Sequence, residues 1–170
     1  MFLKLNLGLV YSELGQYDKA FADFKKALEL DPNYEYAYNN LAKVYFQLQQ
    51  YDAAISYLNK SIEFEPDDAA RYYNRGNAYQ NLEQYDKAIA DFSKAIKLNP
   101  NFADAYFNRA LNYTFSNNLK QALNDITKAI EINPNDGEFY DLRGNIYKIL
   151  GETEKANADF AKAKQLGYKF

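Results

Sequence analysis

A chain of 170 residues, 48% of them apolar, can fill a hydrophobic core, and this excludes a disordered chain. Its 20 Lys and Arg against 23 Asp and Glu leave a net charge of -3, which supplies no basic footprint for nucleic acid. Neither Cys nor His occurs, which removes thiolate and imidazole metal ligands, a Cys nucleophile and the usual proton-transfer side chain near neutral pH.

The first segment, Met1 to Val10, is apolar but interrupted by Lys4 and Asn6, and no small-residue cleavage site follows it. It reads as the start of a helix and not as a signal peptide. Nowhere do about 18 uncharged apolar residues run together, so no membrane association is expected. The lack of Cys suits oxidising and reducing surroundings alike, and a cytoplasmic setting is the default expectation.

The spacing predicts a helix over roughly residues 1–14, the turn Leu14-Gly15-Gln16-Tyr17, and a second helix over roughly 18–31. Pro32 ends that helix, and Asn33 after it is placed to start the next. The same pattern recurs along the chain, because Pro32, Pro66, Pro100 and Pro134 follow one another at intervals of 34 residues. Asp67, Asn101 and Asn135 take the place of Asn33 in the later copies. Five repeats result, 1–34, 35–68, 69–102, 103–136 and 137–170, expected to form one array. Aligned, they stack Tyr11, Tyr45, Tyr79, Tyr113 and Tyr147 in one column and Ala20, Ala54, Ala88, Ala122 and Ala156 in another. Small residues at repeat positions 8, 20 and 27 let helices approach closely, and Tyr and Phe rings fill the gaps beside them.

Within the second repeat, Glu63-Phe64-Glu65-Pro66-Asp67-Asp68 is acid-rich but lacks the Gly and the alternating oxygen ligands of a calcium loop. An inter-repeat turn with a helix cap is the expected role. Asn59-Lys60-Ser61 and Asn112-Tyr113-Thr114 fit a glycosylation pattern but fall inside predicted helices. Repeats three to five carry Arg75, Arg109 and Arg143 at position 7 and Asp91, Asp125 and Asp159 at position 23. Antiparallel helices bring these positions together, so an Arg–Asp salt bridge of structural role is expected inside each of the three. No glycine-rich phosphate loop is present, and Ser12 and Ser93 have no base supplied by the same motif. No catalytic residue, metal or cofactor is expected, and the chain is not read as an enzyme.

These columns match the tetratricopeptide signature over the whole chain. Position 8 is small (Gly8, Ala42, Gly76, Ala110, Gly144), position 11 is Tyr, position 20 is Ala, position 24 is bulky (Phe24, Leu58, Phe92, Ile126, Phe160) and position 32 is Pro. The chain therefore resembles the tetratricopeptide repeat family. Position 4 is Tyr38, Tyr72, Tyr106 and Tyr140 where the family often has Trp, and Lys4 departs from the pattern. The resemblance implies an all-α fold, a right-handed superhelical α-solenoid of five helix-turn-helix repeats. It further implies a scaffold that binds a protein or peptide in a concave groove lined by positions 2, 5, 6, 9, 12 and 13 of each first helix.

At position 6 stand Asn6, Asn40, Asn74 and Asn108, a ladder broken by Leu142. A side-chain amide offers a donor and an acceptor, as clamping an extended peptide backbone requires. This resembles the asparagine ladder with which one member of the family holds substrate peptides by their backbone. An apolar pocket is expected from Phe107, Leu111 and Phe115, with Tyr73 in the repeat before. The family's clamp for acidic chaperone tails is disfavoured. Its slots hold Tyr73, Asn77, Asn108, Glu138 and Leu142, so both Asn match and all three cations are missing.

The repeats at the two ends differ. Position 21 changes from Phe21, Ile55, Ile89 and Leu123 to Asn157, and position 28 from Leu28, Ile62, Ile96 and Ile130 to Lys164, which makes the last repeat polar. Phe2, Leu3, Leu5, Leu9 and Val10 stay apolar, and that face is expected to be covered by upstream sequence or by a second copy in a homo-dimer. The rival to peptide binding is accordingly a structural, self-associating solenoid or an excerpt of a longer array.

Overall fold

The computed structural model describes residues 2–169, with side chains from residue 7 onward. Ten helices occur among the described residues: α1 (Phe2–Glu13), α2 (Tyr17–Leu30), α3 (Glu35–Gln47), α4 (Tyr51–Phe64), α5 (Ala69–Asn81), α6 (Tyr85–Leu98), α7 (Ala103–Phe115), α8 (Leu119–Ile132), α9 (Gly137–Ile149) and α10 (Thr153–Gln165). They form an all-α solenoid of helix-turn-helix repeats. The chain divides into two compact units, Met1–Glu83 and Gln84–Phe170, so that α5 belongs to the first and α6 to the second. In each unit every helix packs on its neighbour in sequence, and first helices also meet, α1 with α3 and α7 with α9.

The small columns are where helices cross. Ala20, Ala27, Ala54, Ala88, Ala95, Ala122, Ala129 and Ala163 have no more than trace exposure. At Gly8 a Cβ would lie 2.6 Å from the Phe24 ring, and at Gly144 one would lie 2.7 Å from the Phe160 ring. Position 8 is thus small because the aromatic at position 24 presses against its backbone.

The turn inside each repeat needs a left-handed residue, and glycine meets this need in only two of them. Gly15 and Gly151 take φ of 70° and 78°, whereas Gln49, Glu83 and Asn117 hold 58°, 57° and 57°. Non-glycine residues there cost about 1 kcal/mol.

The turn between repeats is built differently from the sequence expectation. Asn33, Asn101 and Asn135 do not cap the next helix; their backbone N–H groups donate to the side chains of Asp31, Asn99 and Asn133 at 3.0, 3.1 and 3.4 Å. Side-chain caps come one residue later, where Asp68 accepts from the Ala70 N–H at 2.8 Å and Asp136 from the Glu138 N–H at 3.0 Å. Pro fixes the chain so that the second residue after it, not the first, sits at the helix start. Tyr at position 4 locks this turn: the hydroxyls of Tyr38, Tyr72 and Tyr140 donate to the carbonyls of Pro32, Pro66 and Pro134 at 2.8, 3.0 and 3.2 Å. A Trp ring could not make that bond to the carbonyl through an O–H, so the replacement has its own physical use.

The acid-rich turn is a cap and an ion-pair site. Besides Asp68 capping α5, Asp68 accepts from the buried Arg71 at 3.1 Å, and Glu65 and the Ser61 carbonyl accept from the same guanidinium. Both glycosylation patterns lie on helices, α4 and α7, and Asn112 is fully buried.

Candidate functional site

Two of the three expected Arg–Asp pairs lie within the second unit, and both are bidentate. Arg109 donates to Asp125 at 2.6 and 2.8 Å, and Arg143 to Asp159 at 2.7 and 2.8 Å. The carboxylates are buried and the guanidinium groups nearly so. Arg109 also donates to the Ser93 hydroxyl at 2.9 Å, which itself donates to the Ile89 carbonyl at 2.6 Å. Arg75 and Asp91 fall in separate units; within its own unit Arg75 donates to Asn59 at 2.7 Å. These charges hold helices together and are not open to a ligand.

In the first unit a cavity of about 200 Å³ opens between α3 and α5. Ala42 and the buried Leu58 form its floor, Lys43, Phe46 and Gln47 stand on the α3 side, and Asn74 and Asn77 on the α5 side. The wall residues occupy repeat positions 9, 12 and 13 of one repeat and 6 and 9 of the next. An ammonium, three amides and an aromatic ring around an apolar floor can grip both a backbone and a side chain. Of the residues expected to face a ligand, Asn74 and Asn77 line this cavity, and Tyr73 is half-buried on the same helix. Lys43, Phe46 and Gln47 were missed, although positions 9, 12 and 13 were in the expected set, because each of the three is the one residue of its type in its column and no ladder draws attention to it.

The rest of the expected ladder is less uniform than the sequence suggests. The Asn6 side chain lies outside the described residues. Asn40 is buried at 8% exposure and donates to the Tyr36 carbonyl of its own helix at 2.8 Å. Asn108 is half-buried, and its carbonyl accepts from Asn112 at 2.7 Å.

In the second unit Phe107 stacks on Phe139 with centroids 5.1 Å apart, and Leu111 packs on the same cluster of Phe139, Leu142 and Ile146. Phe115 remains 55% exposed, one face of its ring against Tyr85 at 5.2 Å. Carboxylates stand nearby. Partial burial pushes the Glu138 carboxyl above its usual range, and Asp136, Asp141 and Asp104 push it further. Burial also raises Asp141, with a hydrogen bond from Asn145 at 3.0 Å opposing the shift. The Tyr168 hydroxyl is raised by burial and then by Asp141 and Glu138.

On the last helix Asn157 and Lys164 are exposed, as their polar replacement of apolar columns requires. At the other end Phe2, Leu3 and Leu5 have side chains outside the described residues. Leu9 packs on the core with Phe24 and Leu41, while Leu7 and Val10 stay 43% and 47% exposed.

A solenoid of helix pairs whose charged pairs are structural defines a protein-interaction scaffold. The chain belongs to the tetratricopeptide repeat family: models of that repeat match residues 11–74, 69–102, 103–136 and 126–156. Among solved structures it is similar to a protein described as MamA, with 29% identity, 94% of each chain covered and a TM-score of 0.88. It is similar to YrrB, described as a TPR protein with an unusual peptide-binding site, with 25% identity, 96% of this chain and 84% of that one covered, and a TM-score of 0.81. MamA 41-end from Desulfovibrio magneticus RS-1, at 19% identity, TM-score 0.91 and coverage of 97% and 93%, shows the shared fold. Comparison with the curated proteins finds no match. No helix among the described residues is long and apolar enough to cross a membrane.

Proposed function

We propose that the chain holds an extended segment of a partner protein against the first helices of its repeats, with the cavity between α3 and α5 as one anchoring point. The observation that carries this reading is the convergence of Asn74, Asn77 and Lys43 on an apolar floor beside Phe46. Two amides there meet the donor and acceptor of a peptide unit, and the floor takes an apolar side chain. The likeness to YrrB, described as having a peptide-binding site, supports the same reading. Each amide contact contributes about 1 kcal/mol net, so the pocket must add apolar burial to reach useful affinity. A peptide-library screen on the whole chain, repeated with Asn74→Ala and Asn77→Ala, tests it. Each change is expected to weaken selected peptides about fivefold, a larger effect than on the melting temperature. Unchanged affinity in the double variant would remove the site.

A second reading is favoured by Leu7 and Val10, which expose large apolar side chains on α1. A second copy packing there would cover them. Light scattering over a concentration series, with wild type against Leu7→Glu with Val10→Glu, decides it; a monomer at all concentrations in both excludes a homo-dimer.

A further inference from the structure

We propose that the face shared by α7 and α9 takes a basic segment of a partner protein, with Lys or Arg side chains against Asp104, Glu138 and Asp141 and an apolar side chain against Phe115 and Ile149. This deepens the partner-binding reading above and rests on it. The two helices are neighbours, since Phe107 of α7 stacks on Phe139 of α9. Asp104 and Phe115 lie eleven residues apart on one helix, as do Glu138 and Ile149 on the other, so both helices run from a carboxylate end to an apolar end along one face. The apolar end is open: Phe115 is 55% and Ile149 59% exposed.

Three observations set the charge of the occupant. Asp104, Asp136 and Asp141 all push the Glu138 carboxyl upward, so the carboxylates of both helices share one unfavourable field that a cation relieves. The arginines of these helices do not serve, because Arg109 and Arg143 are engaged with Asp125 and Asp159. Among the described residues Asp104, Glu138 and Asp141 form no ion pair with the chain's own cations. Lys148, the exposed cation on α9, stands ten residues from Glu138, about 15 Å along the helix. Nor do the carboxylates converge on a point: no group of three among the described residues could hold a metal ion. A cation on a long side chain reaches them where a bare ion would not be enclosed.

The test uses the whole chain and two fluorescein-labelled peptides, one of Lys, Leu, Phe and Ser residues and the other with Glu in place of each Lys, read by fluorescence anisotropy. The basic peptide is expected to bind at least about tenfold more tightly, with affinity that falls as salt rises. Glu138→Gln with Asp141→Asn is expected to weaken it about fivefold to tenfold, and Phe115→Ala to weaken it at every salt concentration. These residues form no ion pair and Phe115 is exposed, so circular dichroism should report an unchanged fold. Equal binding of the two peptides, or no change in the double variant, overturns the proposal while leaving partner binding standing. Binding of neither peptide, together with an empty library screen, overturns both. Self-association lost in the same variants, without peptide binding, assigns the face to a second copy and overturns it too.

Discussion

Exchanging the charged pair Arg109–Asp125 for the apolar solution found in the second repeat probes how the repeats are held together. Position 7 is Leu41 and position 23 is Tyr57 in that repeat, with Leu41 fully buried. Arg109→Leu alone leaves a carboxylate with 3% side-chain exposure and no cation. Breaking a buried pair from one side costs about 3 to 5 kcal/mol; the 18% exposure of the Arg109 side chain admits some water, which places the cost near about 3 kcal/mol. Asp125→Tyr alone strands the guanidinium, with its remaining bond to Ser93, and costs a similar amount. The double exchange removes both charges together and restores an apolar pair, so it should lie within about 1 kcal/mol of wild type. Urea unfolding followed by circular dichroism on all four chains gives the coupling energy. Additive losses in the double variant, with no recovery, would refute the claim that the pair is a replaceable structural contact.

Phe107→Ala should cost about 2 to 3 kcal/mol of stability, since the ring is half-buried against Phe139, whereas Phe115→Ala should cost less than about 1 kcal/mol because its ring is exposed. Equal losses in thermal melts would contradict the difference in placement. Glu138 has a folded pKa above its ordinary value of 4.5, so its contribution to stability is fully present below that value and is lost as pH rises through the folded pKa. Glu138→Gln should therefore melt higher than wild type at neutral pH, with the gap closing as the pH falls toward about 4. A lower melting temperature for the variant at neutral pH would mean that the attraction of Glu138 to the start of α9 outweighs the carboxylate repulsion.

The repeat period, the helix pairs and the tight columns were legible in the sequence because each depends on local spacing repeated five times. Pro at position 32 ends a helix wherever it stands, and Ala at position 20 is small in every copy for one steric reason. The Arg–Asp pairing at positions 7 and 23 of the last two repeats was legible for the same cause: two antiparallel helices joined by a short turn allow one register. The helix caps were misplaced by one residue, since Asn33 and its counterparts are turn formers by composition and only the path of the backbone shows that Asp31 and Asp68 take the hydrogen bonds. Arg71 gave no signal, as it stands at position 3, where Ala37, Ala105 and Phe139 are buried, and its partners Glu65 and Asp68 read as an acidic turn. The ladder is the sharpest contrast: position 6 is Asn in four repeats, yet Asn40 is buried and bonded to its own helix while Asn74 lines a cavity. Sequence by itself determined which residues are equivalent. Tertiary structure alone decided which of those equivalents meet solvent, because exposure depends on the side chains of the adjoining repeat, and these differ from copy to copy even where the period does not.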